Sequence, residues 1–336
     1  MKMNKKKIRV LSGIRASHSS LHLGNLEGAI RGMIKLQNDP KYETFYMVAD
    51  LHGITTPFNP EKLKRNRLEI AKDYLAAGID PKKSVLFLQA DVSEHVELAY
   101  YLSSAVRHNR VKQLPGKKEE YREHPERVSV ALLNYPVLMA ADILAYKAEI
   151  VPIGLDQEPH LDITREIARN MNLKYDLDFP EPQRFAVVAG DFTVPSILGG
   201  GKMSKTKKGS VINLSDSYEV IKQKVARIPT DIGKAKKIEK DTGAYALFLF
   251  VELFMGKPKK RKLERDYLSS KGIKYSEIKA ELAKAIYKKL KPIQEKRRKY
   301  ENDPKLVREI LDKGAEKARK IAGETLNEVK EAMGLV

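Results

Sequence analysis

Two short stretches place phosphate-seeking groups where a chain can use them. The first is His22-Leu23-Gly24-Asn25, which follows the polar run Ser17-His18-Ser19-Ser20. A helix opening at such a point offers free backbone N–H groups to an anion, the glycine lets a nucleotide come close, and the histidine can donate to phosphate oxygens. A surface histidine beside a capping asparagine would look the same, so these four residues decide little by themselves. The second is Gly199-Gly200-Gly201-Lys202-Met203-Ser204-Lys205-Thr206-Lys207-Lys208-Gly209. Glycines around paired lysines suit a loop that folds over a triphosphate, its ammonium groups neutralising charge on a pyrophosphate leaving group. A solvated basic turn is the plain alternative.

A third stretch, Tyr135-Pro136-Val137-Leu138-Met139-Ala140-Ala141-Asp142-Ile143-Leu144, sets Tyr135, Met139 and Asp142 at i, i+4 and i+7, on one face of a helix. An aspartate inside so apolar a run must be paired or functional, because an unpaired carboxylate is costly to bury. One acceptor at the end of an apolar slot is the least that is needed to read a flat ring carrying a single N–H, as indole does. A local cap or salt bridge is the alternative. Two more stretches end strand-like runs in polar residues: Val48-Ala49-Asp50-Leu51-His52-Gly53-Ile54-Thr55 and Val151-Pro152-Ile153-Gly154-Leu155-Asp156-Gln157-Glu158-Pro159-His160.

These stretches sit among alternating elements. Strand-like runs cover 7–14, 44–50, 84–89 and 150–153, and helical periodicity covers 25–37, 60–78, 96–107, 127–147 and 157–172. Strands alternating with helices predict an α/β fold with a mostly parallel, Rossmann-type sheet, whose ligands bind beyond the carboxyl ends of the strands. After about residue 210 the strand signal fades. Helices are expected over 218–227, 244–254, 275–300 and 305–333, with Lys257–Lys262 as a short connector. The expected division is a catalytic domain over 1–212, which includes the lysine loop, and an α-helical C-terminal domain over 213–336.

The chain has 336 residues and a net charge of +19. Residues 213–336 hold 31 basic against 19 acidic side chains, so +12 of the surplus lies there. Such an imbalance suits a polyanionic partner, although a lysine-rich proteome would also produce it. With no cysteine, disulfides, thiolate zinc sites and cysteine-bound iron–sulfur clusters are excluded. The seven histidines show no zinc-like spacing beside carboxylates. No apolar run approaches the roughly 20 residues of a membrane span, and the basic start lacks a signal-peptide core, so the expected location is cytoplasmic with no membrane association.

Together the motifs resemble a family. His22-Leu23-Gly24-Asn25 is similar to the "HIGH" signature of class I aminoacyl-tRNA synthetases, and Lys202-Met203-Ser204-Lys205-Thr206 to their "KMSKS" signature, in the order and at the separation of the tryptophan and tyrosine subclass. The run ending at Asp142 resembles the tryptophan-binding helix of tryptophanyl-tRNA synthetases, and Val151–His160 resembles their "VPVGEDQ…H" block. The resemblance covers essentially the whole chain. It implies that His22, Asn25, Lys202 and Lys205 stabilise the transition state. It also implies that Arg15, Ala16, Ser17, Gly24, Asn25, Gly154, Leu155, Asp156, Val194 and Lys202 to Thr206 (with Met203 and Ser204) contact ATP. Asp142, Met139, Tyr135, Gln157 and His52 would hold tryptophan, with Asp142 accepting the indole N–H. ATP would arrive with Mg²⁺, no protein-bound metal or iron–sulfur cluster would be needed, and the partners would be tRNA(Trp), ATP, L-tryptophan and a second copy in a homodimer.

Two departures stand out. Ala16-Ser17-His18, with one extra residue before His22, replaces the family's Pro-Ser/Thr-Gly turn, and Leu155 stands where many members have Glu. Three rivals stay open at this level: a tyrosyl-tRNA synthetase of the same fold, a synthetase-like RNA-binding protein without activation activity, and another adenylyltransferase with a similar His-x-Gly signature, which would leave the basic helical half unexplained.

Overall fold

The structure is a computed structural model that describes residues 6–16, 20–114, 128–186, 194–199, 201, 203, 209–239, 242–269 and 271–336. The chain forms two compact units. The first comprises residues 1–19, 29–191 and 302–336; the second comprises 20–28 and 192–301.

The first unit is built on a five-stranded sheet in the order β3-β2-β1-β4-β5, every neighbouring pair parallel. The strands are β1 (Ile8–Arg15), β2 (Tyr42–Ala49), β3 (Ser84–Leu88), β4 (Ile150–Pro152) and β5 (Gln183–Phe185). β1 and β2 run in register over eight residues, from Ile8 opposite Tyr42 to Arg15 opposite Ala49. Parallel strands covered on both faces read as continuous apolar runs, and Val10, Leu11, Phe45, Tyr46, Met47 and Val48 are all buried accordingly. β5 was not expected: three residues hemmed by Pro180 and Pro182 carry too little pattern, and their pairing with β4 supplies what the local sequence does not.

Helices connect the strands. A turn of α-helix, α1 (Leu23–Asn25), a π-helical turn (Leu26–Ile30) and α2 (Arg31–Gln37) follow one another. α3 (Pro60–Ala77) begins on a capping Asn59 whose side chain accepts from Lys62 N, and stops at Gly78 with φ +119°. α4 (Glu94–Ser103), α5 (His108–Lys112), α6 (Val130–Leu144) and α7 (Glu158–Tyr175) complete this part.

In the second unit, His22 bridges to Asn213 in antiparallel fashion, and α8 (Tyr218–Ala226), α9 (Gly243–Met255), α10 (Lys257–Leu268) and α11 (Tyr275–Asn302) follow. The lysine stretch expected to be a connector is therefore the start of a helix. Pro258 suits the first turn, Leu263 and Tyr267 are buried, and Lys260 Nζ reaches Glu252 at 2.6 Å.

The last helix, α12 (Pro304–Ala332), returns to the first unit, so the compact units do not follow the expected cut between 212 and 213. Its cause is a stripe recurring every three or four residues: Ala315, Ala318, Ala322, Leu326 and Val329 belong to the same buried cluster as Phe45, Phe87 and Ile167. Among the described residues, no helix is long and apolar enough to cross a membrane.

Candidate active site

Strand order reverses direction between β1 and β4, and a cavity of about 380 Å³ opens there in the first unit. Open parallel sheets bind ligands at such a point. The ends of β1, β2 and β4 supply Ser12, Gly13, Arg15, Met47, Ala49 and Val151; Ile153 and Gln157 follow β4. Tyr135, Met139, Asp142 and Ile143 line it from α6, His52 and Thr55 from the turn after β2, and His160 from α7. Gly13 is required where it stands, because a Cβ there would meet Met47 Cγ at 2.8 Å.

Asp142 has no exposed surface. Ser129 caps its helix, its Oγ accepting from Leu132 N at 3.1 Å, and the i, i+4, i+7 spacing aims Tyr135, Met139 and Asp142 at one space. Three side chains converge on the carboxylate. Gln89 Nε2 donates to both oxygens at 2.7 and 2.9 Å, His52 Nε2 lies 2.9 Å from Oδ2, and His95 Nδ1 lies 2.8 Å from Oδ1. Burial alone would raise the Asp142 pKa; the bonds from His52 and His95 outweigh it and hold the carboxyl well below the usual range. Asp142 is thus an ionised, acceptor-only group.

Asp50 at the end of β2 sets the donors in place. Its Oδ1 accepts from Leu51 N at 3.1 Å and from Ala90 N at 2.9 Å, the residues next to His52 and Gln89. Its Oδ2 lies 2.5 Å from Arg67 Nε of α3. Burial pushes the Asp50 carboxyl up, and the Arg67 guanidinium opposes that only in part.

Elsewhere in the cavity, the Tyr135 hydroxyl pairs with His160 Nε2 at 2.8 Å, and burial lifts this phenol to about 12. Arg15 Nη2 donates to Thr56 Oγ1 at 2.7 Å. Gln157 Nε2 donates to Asp156 Oδ2 at 2.9 Å, while Gly154, Leu155 and Asp156 are exposed on the short turn between β4 and α7 and do not line the cavity. Ala16 is fully buried, its N–H donating to Ala49 O, so its side chain faces no open space.

Within the second unit, the start of α1 meets Met203, a described residue of the lysine stretch. Leu23 N donates to Ile212 O at 3.0 Å, and Leu214 N to Leu21 O at 2.9 Å, which ties the start of α1 to the segment after the lysine loop. Asn25 Oδ1 accepts from His22 N at 3.1 Å and closes the helix start. A Cβ on Gly24 would sit 2.8 Å from the His22 ring and 3.4 Å from Met203 Cβ, so glycine here lets the ring and the loop approach each other. Met203 is buried, its N–H donating to the carbonyl of Val194, itself buried, at 2.8 Å. Ser17, Lys202, Ser204, Lys205 and Thr206 lie outside the described residues. Among the described residues, no three His, Asp or Glu side chains are grouped to hold a metal ion.

Gln89, His95 and Tyr146 escaped the sequence reading. Gln89 was visible only as the end of a strand, and nothing in the residues between Ser93 and Tyr101 sets His95 apart from an ordinary helical histidine.

Comparison with known proteins agrees with this geometry. The family model described as "tRNA synthetases class I (W and Y)" matches residues 3–298. A tryptophan–tRNA ligase of Porphyromonas gingivalis is 37% identical over 327 residues, covering 97% of this chain and 98% of that protein. One of Thermotoga maritima is 38% identical over 335 residues, covering 98% and 100%. Among solved structures, the tryptophanyl-tRNA synthetase of Campylobacter jejuni, complexed with ADP and tryptophan, superposes with a TM-score of 0.81 at 33% identity, covering 98% of this chain and all of the other. That of Mycoplasma pneumoniae gives 0.83 at 30% identity, with 98% of each chain covered. A sheet whose switch point holds an apolar cavity with one ionised carboxylate, and relatives of this kind along its whole length, make the chain a member of the class I aminoacyl-tRNA synthetases, in the tryptophanyl-tRNA synthetase family.

Proposed function

We propose that the protein is a tryptophan–tRNA ligase that holds tryptophan in the cavity of its first unit, with Asp142 accepting the indole N–H. The observation that carries this is the pairing of an ionised carboxylate with a space whose apolar walls include Met47, Met139, Ile143, Val151 and Ile153. A cavity of about 380 Å³ suits one small ligand, since such pockets run from roughly 300 to 1,000 Å³. Indole brings one donor and an apolar body, which is what these walls complement. Met139 and Tyr135 would flank the ring, His52 would support Asp142, and Gln157 would take the amino-acid head group.

In the first step the tryptophan carboxylate attacks the α-phosphate of Mg²⁺-ATP, giving tryptophanyl-adenylate and pyrophosphate. The metal enters with the nucleotide as part of the substrate. No side-chain nucleophile is needed, because positioning and charge stabilisation carry phosphoryl-type transfer. His22, Asn25, Lys202 and Lys205 would stabilise the charge developing on the phosphates, and Arg15, Ala16, Ser17, Gly24, Gly154, Leu155, Asp156, Val194, Met203, Ser204 and Thr206 would complete the ATP contacts. Ala16 can contribute only through its backbone. In the second step the terminal ribose 2′-hydroxyl of tRNA(Trp) attacks the adenylate, releasing AMP.

The +12 surplus of residues 213–336 would meet the tRNA phosphates, and this helical region would supply anticodon recognition. The working form would be a homodimer in the cytoplasm. ATP–pyrophosphate exchange measured with each of the twenty amino acids tests the assignment. Exchange should depend on tryptophan; dependence on tyrosine, or no exchange with any of them, would overturn it.

A further inference from the structure

The carboxylate that faces the cavity is backed by a chain of buried groups that never reach it. His95 is fully buried, with Nδ1 2.8 Å from Asp142 Oδ1 and Nε2 2.6 Å from the Tyr146 hydroxyl. Neither His95 nor Tyr146 lines the cavity, whereas Asp142 and His52 do. Tyr146 is held by packing as well, its ring stacked on Phe45 at 4.7 Å and tilted against Phe87 at 5.8 Å.

With a single proton on the His95 ring, one arrangement suits these distances. An ionised carboxylate only accepts, so Nδ1 of His95 carries the proton that faces Asp142. With one ring proton, Nε2 is then an acceptor and must receive from Tyr146. The phenol keeps its proton to give: burial, followed by the charges of Asp142 and Glu94, pushes its pKa well above the ordinary value. Were the ring proton on Nε2 instead, a lone pair would face Asp142 Oδ1 at 2.8 Å, a repulsive contact.

We propose that Tyr146 and His95 are positioning residues for specificity: the Tyr146 hydroxyl fixes the His95 tautomer, and through it the orientation of Asp142 toward a ligand N–H. The inference rests on Asp142 being the reader of that N–H. Gln89 donates to both oxygens and His52 Nε2 lies 2.9 Å from Oδ2, so His95, 2.8 Å from Oδ1, is the buried third group that fixes the rotation of the carboxylate about its own axis. Without the phenol O–H, the far side of the ring loses its hydrogen bond, the ring is no longer held in place, and Asp142 turns from its aim without losing its place in the core.

The test compares L-tryptophan with 3-benzothienyl-L-alanine, a close isostere in which sulfur replaces the N–H, by ATP–pyrophosphate exchange on the full-length protein. In Tyr146→Phe, KM for tryptophan should rise at least fivefold with kcat within twofold, while KM for the isostere stays within twofold. The preference for the N–H ligand should therefore fall at least fivefold. A purely structural loss would move both ligands together and overturn the proposal. His95→Asn places an amide N–H near the Nδ1 position without needing a tautomer lock, and should keep the preference within twofold of wild type, whereas His95→Leu should lose it. Asp142→Ala separates the two layers of the argument, because it removes the acceptor altogether. If it abolishes the preference while Tyr146→Phe leaves it intact, the relay is wrong and the reader stands. If Asp142→Ala leaves the preference intact, the assignment of the reader itself falls.

Discussion

The last helix lies against the sheet so closely that a methyl group on Gly314 would stand 1.8 Å from the carbonyl oxygen of Leu86. The contact joins residues 228 positions apart, on α12 and β3, and only a glycine permits it. Either the helix moves away or the strand does. Gly314→Ala should therefore destabilise the protein by about 3 kcal/mol or more, at the upper end of overpacking effects. Urea denaturation followed by circular dichroism checks this; a loss under 1 kcal/mol would mean that α12 tolerates displacement.

Truncating Asp142 removes the acceptor at the cavity. Asp142→Ala should weaken tryptophan binding by about 1–3 kcal/mol, the usual effect of leaving a buried donor unpaired, or roughly 5- to 150-fold in affinity. The readout is the tryptophan KM in pyrophosphate exchange, which should rise while the ATP KM changes little. An equal rise in both would point to general damage, since His52, Gln89 and His95 all converge on this carboxylate.

How much of this was legible in the residues differs from element to element. β1, β2 and β3 announced themselves as apolar runs, and α3 by proline at one end and glycine at the other, because those signals are local. The face carrying Tyr135, Met139 and Asp142 was legible for the same reason: helical spacing fixes it before any packing occurs. β5 and the return of α12 to the first unit were not legible, since pairing with β4 and the fit of Gly314 against Leu86 are long-range relations. Gln89, His95 and Tyr146 were hidden likewise. They come from the turn after β3, from α4 and from just beyond α6, and only the fold brings Gln89 and His95 to one carboxylate, with Tyr146 behind His95.

The lysine loop offers a separate prediction, on rate instead of affinity. If the loop closes on the nucleotide as its charge develops, its cations act on the transition state and not on bound tryptophan. Lys205→Ala should lower the single-turnover rate of adenylate formation at least tenfold, with tryptophan affinity within about twofold of wild type. An unchanged rate would show that the loop does not act on the phosphates. The Met203 side chain is buried and anchors the middle of this stretch, so Met203→Ala, which removes that packing, should lower the rate by a smaller factor.

Alkaline pH should unfold the protein through its buried phenols. Tyr46 donates to Met33 O at 2.7 Å and Tyr74 to Met47 O at 3.3 Å, and both are fully buried on the first unit's sheet. Burial raises their pKa values, and that of Tyr146, above the usual phenol range. A group whose pKa is higher in the folded than in the unfolded state binds its proton more tightly when folded. Its contribution to stability is complete below the unfolded value of about 10 and is lost as the pH rises beyond it, at up to ~1.4 kcal/mol per pH unit for each phenol. The unfolding free energy should therefore be flat with respect to these groups at neutral pH and fall steeply above about pH 10. Phenolate absorbance provides the check: the exposed members of the fifteen tyrosines should titrate first, and Tyr46, Tyr74 and Tyr146 should ionise only as the circular dichroism signal is lost. Titration of all fifteen while the secondary structure stays intact would show that these hydroxyls reach water in the folded protein.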